Sequence, residues 1–135
     1  MYKCNIEVDI VPVEGNPVIS YGISEQKQLL VTEPVTLTSN NILDRGIYTF
    51  NIELQNNSVF DIVAVRINNI NEYKFIYVSN YTPQYPEPWY SEQNPRWPDV
   101  LEHHTNICWP GIWHIDLESP VYPWIHRTLN LGWIY

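Results

Sequence analysis

An antiparallel β-sandwich, jelly-roll-like and all-β with little helix, is the fold this sequence predicts, and three observations predict it. Short apolar runs alternate with polar residues at period two, the mark of strands half-buried against one core. Clusters of Asn, Asp, Gly and Pro separate those runs at the short spacing usual in sandwiches and barrels. No stretch gives a convincing helical period. A chain of 135 residues with 44% hydrophobic content matches one domain, so residues 1–135 are read as a single unit.

The first strand is expected over residues 2–13, where Cys4, Ile6, Val8 and Ile10 alternate with Asn5, Glu7 and Asp9. Pro12 and the Glu14-Gly15-Asn16-Pro17 cluster are expected to end it, because proline donates no ladder hydrogen bond. Further strands are expected over 18–23, 28–32 and 35–38, with Pro34 between the last two and turns at Asn40-Asn41 and Asp44-Arg45-Gly46. Tyr48, Phe50, Ile52 and Leu54 then mark a second strong alternating strand. Gln55-Asn56-Asn57-Ser58 reads as a hairpin connection to 60–67, a β-branched run apolar enough for burial on both faces. Asn68-Asn69 reads either as a turn or as part of a bulged strand, and 73–78 as an aromatic-rich strand.

Composition changes after Asn80, and all six tryptophans lie at or beyond Trp89. Residues 81–98 hold five prolines and five aromatics, too many prolines for a paired central strand, so an ordered loop or arm is expected. A helical turn or two is placed at 97–104, with Pro98 in its first turn and Asp99 and Glu102 favouring its N-terminal end. Residues 111–118 alternate again, with Trp113, Ile115 and Leu117 facing in and His114, Asp116 and Glu118 facing out. The apolar terminus from Val121 to Tyr135, carrying Trp124, Ile125, Leu129, Leu131, Trp133 and Ile134, is expected to dock on the core or on a neighbour.

A net charge of −8 from 15 acidic and 7 basic residues argues against nucleic acid, whose phosphates need clustered Lys and Arg, and against anionic lipid. No apolar stretch approaches the roughly 20 residues that span a bilayer, and the N-terminus reads without a signal peptide. Cys4 and Cys108 are accordingly expected as reduced, small core residues. Zinc would draw on Glu102, His103, His104, Cys108 and His114, whose spacing is poor, and calcium on Asp9, Asp44 and Asp61, which form no EF-hand loop. Asp116 and Glu118 share one strand face about 7 Å apart, a separation compatible with an acid and base pair, but two solvated carboxylates on an exposed face are expected because so short a chain leaves little material for a substrate cleft. No GxSxG, GxGxxG or Walker loop occurs. No cofactor, metal site or catalytic residue is therefore assigned.

The candidate ligand-binding residues are Tyr81, Tyr85, Trp89, Tyr90 and Trp97. Aromatic rings are enriched at interface hot spots, and proline-rich arms lie readily across a neighbour's surface. The same rings offer flat apolar faces to sugars, which makes carbohydrate binding the alternative, and they equally suit a cover over one open face of the sandwich.

The closing segment GIWHIDLESPVYPWIHRTLNLGWIY, Gly111 to Tyr135, resembles the C-terminal end of small accessory proteins of tailed phages, particularly marine phages that infect cyanobacteria. That resemblance implies a structural subunit of a virion, such as a capsid decoration, tail or baseplate component. Its partners would be other virion proteins in a homo-oligomer or lattice. It carries over no functional residue.

Overall fold

The computed structural model describes residues 1–72 and 74–131, the last three of these by backbone alone. Two antiparallel sheets face each other. The first is built on β1 (Tyr2–Glu14), which lies between β4 (Val35–Leu43) and β6 (Val59–Ile67). Two short strands, β7 (Ile70–Asn71) and β10 (Asn106–Ile107), pair the far side of β6. The second sheet runs in the order β3 (Lys27–Leu30), β2 (Val18–Gly22), β5 (Gly46–Leu54), β11 (Gly111–Ser119), β8 (Ser79–Pro83), β9 (Leu101–Glu102). Successive strands mostly lie in opposite sheets, so the chain repeatedly crosses between the layers.

Period-two alternation decides what lies between the sheets. Cys4, Ile6, Val8 and Ile10 of β1 and Trp113, Ile115 and Leu117 of β11 are all at most 1% exposed, and Phe50, Ile52 and Leu54 of β5 join them. Burial of a side chain of this size contributes about 1.5–3 kcal/mol, which makes this contiguous cluster the dominant stabilising term. The Trp113 and Phe50 rings meet edge to face at 6.5 Å. Burial also pushes the Cys4 thiol up to about 11, so it stays a neutral core group, and both cysteines are free.

Several expectations are corrected. β1 does not end at Pro12. Its pairing with β4 stops at Ile10, so Pro12 faces a strand on one side only, where the register with β6 is already shifted. β6 is not buried on both faces, because Val63 is the extra residue of a bulge opposite Asp9 and Ile10 and is 57% exposed. Gln55-Asn56-Asn57-Ser58 is a crossing between sheets rather than a hairpin. Asn56 holds it by accepting from Val18 N at 3.0 Å and donating to Asn16 O at 3.0 Å. Asn40 and Asn41 lie inside β4, while Asn68 and Asn69, at φ of 49° and 66°, form the two-residue turn of the β6–β7 hairpin.

Helix is more abundant than expected and lies elsewhere. Residues 97–104 contain the strand β9 in place of a helix, and α1 (Lys74–Tyr77) replaces the expected strand, with Tyr73 outside the described residues. α2 (Trp89–Glu92) is a single turn. α3 (Val121–Leu131) begins directly after β11, buries Val121, Ile125 and Thr128, and stacks Trp124 on Phe75 of α1 at 6.0 Å. Its spacing i, i+4, i+7 is helical, and Pro123 sits in the first turn, where its missing N–H costs nothing. Trp133 and Ile134, expected to dock, lie outside the described residues.

β11 crosses the molecule, about 26 Å at 3.3 Å per residue. α3 leaves from its Ser119 end and the 84–100 loop adjoins its Gly111 end. Gly111 permits the close pairing there: at φ +158°, a Cβ would lie 2.4 Å from Thr82 O and 2.8 Å from Pro83 Cα. Gly111→Ala is expected to lower unfolding free energy by about 2 kcal/mol or more in a urea titration, since strain at such positions costs about 1–3 kcal/mol.

On the outer face of the first sheet, Arg66 grips Asp9 with two bonds of 2.7 and 2.8 Å and reaches Glu7 at 3.4 Å. The Arg66 hydrogen bonds, helped by Thr36, hold the Asp9 carboxyl below its ordinary 3.8. A carboxylate with a depressed folded-state value stabilises the fold above the unfolded value and loses that contribution as pH falls through the folded one. Asp9→Asn should therefore flatten the part of the stability profile below about pH 4, read by thermal melts, and leave the profile near neutrality parallel to wild type.

Candidate functional site

The loop at the Gly111 end is ordered by its own aromatics. Tyr85 stands at the hub: its ring stacks on Tyr90 at 4.8 Å and 15°, and meets Trp89 at 5.9 Å, Trp97 at 6.4 Å and Trp109 at 4.9 Å. Trp89, Trp97 and Trp109 also contact one another at 5.6–5.8 Å. Pairs of this kind contribute about 0.5–1.5 kcal/mol each beyond the area they bury. Five rings therefore form a second, smaller cluster outside the sandwich core.

Polar ends of the same rings tie the loop to itself. Tyr85 Oη donates to Pro98 O at 2.7 Å, and Tyr90 Oη lies 3.2 Å from Trp97 O and 2.9 Å from Asp99 Oδ1. Burial raises the Tyr85 hydroxyl above its ordinary value, and the bond to Asp99 raises that of Tyr90, so both remain protonated donors at neutral pH. The single turn α2 supplies further closures through Tyr90 N to Pro86 O at 2.9 Å and Gln93 Nε2 to Trp89 O at 3.1 Å. The loop is thus preformed, which removes much of the ordering entropy that a binding event would otherwise cost.

Of the five residues the sequence singled out, Tyr85, Trp89, Tyr90 and Trp97 come together here. Tyr81 does not join them at the surface. It lies within β8 at 0% exposure, so it belongs to the core, and the loop begins only after Pro83. Its hydroxyl donates to Trp109 O and accepts from Trp109 N at 3.0 Å, which satisfies both backbone polar groups of that residue with one side chain. Burial pushes the Tyr81 hydroxyl strongly upward, so it too stays protonated. Through this pin Tyr81 positions Trp109 of the cluster from within the core.

Trp109 is the member that sequence reasoning missed. Its signal was present: a tryptophan beside Pro110, two residues before the glycine that opens β11. Exposure falls to Trp97, which is 42% exposed, while Tyr85, Trp89, Tyr90 and Trp109 are half-buried. Charge around the rings is acidic, with Glu87, Glu92 and Asp99 in the loop against Arg96, whose guanidinium sits 5.9 Å over the Tyr90 ring.

The other candidate groups are engaged separately. Asp116 accepts from Thr49 Oγ1 at 2.7 Å, whereas Glu118 pairs with Arg127 of α3, so the two carboxylates do not converge. His103 meets the Tyr77 ring edge-on at 5.4 Å and His104 stacks on Tyr81 at 5.6 Å, which turns the adjacent histidines to different neighbours. Asp61 accepts from Asn106 at 2.7 Å. Among the described residues no three His, Cys, Asp or Glu side chains are placed to hold a metal ion.

Comparison of the chain with known protein families, with curated proteins and with solved structures finds no match.

Tyr81→Phe removes one hydroxyl and strands the carbonyl and the N–H of Trp109, a loss of about 1–3 kcal/mol for groups shielded from water. Chemical denaturation should show that loss, with a tryptophan emission shift reporting release of the ring cluster. An unchanged midpoint and spectrum would mean that the pin does not hold the loop.

Proposed function

We propose that this chain is a non-enzymatic structural subunit that attaches to another protein through the aromatic 84–100 loop. The observation that carries the reading is the preformed ring cluster at one end of the sandwich, with Trp97 as its open member. Interfaces draw most of their energy from a few tryptophan, tyrosine and arginine side chains held rigidly at the centre of a patch, and the loop supplies that arrangement on its own. The resemblance of residues 111–135 to small accessory proteins of tailed phages supplies the setting: a capsid, tail or baseplate component made in the host cytoplasm and retained in the virion.

A carbohydrate-binding role uses the same rings in another way, by presenting a flat face to each sugar. Here the face of Tyr85 is taken by Tyr90, and the tryptophans turn edges and faces to one another, which favours insertion into a protein surface over a sugar platform.

Purified particles of the phage that encodes the chain should contain it in fixed stoichiometry. Trp97→Ala removes three ring contacts, so it should lower the melting temperature while leaving the far-UV spectrum of the sandwich that of wild type, and it should weaken association with those particles at least about tenfold, as expected for a hot spot worth more than 1.4 kcal/mol. Retention unaffected by Trp97→Ala, or glycan-array binding by the isolated monomer that depends on Trp97, would sink the assembly reading.

A further inference from the structure

Sheet borders leave unpaired N–H and C=O groups, and folded proteins blunt them with brevity, charge, proline or bulges. Most borders here are blunted in that way. β3 has 4 residues and carries Lys27, β9 has 2 and carries Glu102, and the far side of β6 is partly covered by the two-residue strands β7 and β10. β4 is different: nine residues long, it pairs β1 over its whole length without a register shift and, among the described residues, pairs no other strand. Its sequence VTLTSNNIL contains no charge and no proline, and Ile42 at its outer face is 65% exposed.

We propose that two copies of this chain join β4 to β4, antiparallel about a two-fold axis, to make one continuous sheet from their two β4 sheets. A second copy is the occupant because the strand is complementary to itself. Centring the axis on Ser39 sets Thr36 opposite Ile42, Val35 opposite Leu43 and Thr38 opposite Asn40. Inner-face positions then meet inner-face positions, and outer meet outer, as a shared sheet requires. The same register brings Glu33 of one copy to the end where the other carries Arg45, and it does so at both ends. Glu33 and Arg45 are exposed, and neither has an ion-pair partner among the described residues.

Repulsion between two bodies of net charge −8 opposes this contact, but it is screened beyond about 8 Å at physiological ionic strength, while the β4 contact itself is uncharged. This interface is separate from the aromatic loop and stands whether or not that loop binds a partner.

Sedimentation of the full chain at physiological salt, from about 1 to 100 µM, tests it. Wild type should pass from monomer to dimer over that range. Thr38→Lys with Asn40→Lys sets lysine opposite lysine and should weaken the dimer at least tenfold. Thr38→Lys with Asn40→Glu sets opposite charges across the axis and should retain it. Trp97→Ala should leave it unchanged, which separates failure here from failure of the loop reading. Amide exchange of wild type gives a check that no variant's folding affects: outward-pointing amides of residues 35–43 should become protected as concentration rises. A chain that is monomeric throughout, exchange there that ignores concentration, or a lysine pair that dimerises like wild type would overturn the proposal.

Discussion

The pairing of β11 between β5 and β8 is the constraint on which most of this structure depends. Nine residues of one strand carry Trp113 to the centre of the core, join β5 along their whole length and receive β8 along their first half. Each end of that strand then delivers a different element. At Ser119 the chain passes into α3, whose apolar face closes the sandwich against α1, and Ser119 Oγ donates across the layers to Leu43 O at 3.3 Å. At Gly111 the backbone comes close enough to β8 for Trp109 to reach the Tyr81 hydroxyl. The aromatic cluster is therefore set by the sheet rather than by the loop alone.

That arrangement has a physical logic. A proline-rich segment cannot lean on ladder hydrogen bonds, so it needs another source of order. Here ring contacts and tyrosine hydroxyls bonded to carbonyls of the same loop provide it, while prolines lower the entropy lost on folding. Partly exposed tryptophans at this end of the sandwich are tolerable because each is already packed against another ring. The acidic side chains around them keep the surface hydrated. The same economy appears at the turns, where Asn56 and Asn68 use side-chain amides in place of missing backbone partners.

Much of the fold was legible along the chain. Where one face of a strand meets the core and the other meets water, burial and side-chain period coincide, so β1, β5 and β11 could be read directly from Cys4 to Ile10, Tyr48 to Leu54 and Gly111 to Glu118. The pattern blurred wherever another force set the conformation. Val63 broke the alternation of β6 through a bulge. Phe75 and Ile76 read as strand because aromatic and β-branched residues favour it, yet packing against Trp124 made a helical turn. α3 was overlooked because two prolines at its start masked a helical spacing that begins only at Val121.

Local period and composition by themselves determined that the chain forms a β-sandwich, that it is net acidic, and that its tryptophans all lie at or beyond Trp89. These follow from local period and from residue counts, which need no knowledge of what touches what. Tertiary structure alone decided that Tyr81 is core, that Trp109 completes the ring cluster, and that β4, among the described residues, pairs on one side only. Each of those outcomes depends on contacts between residues far apart in sequence, and periodicity reports only which face of an element is apolar, never which element will cover it.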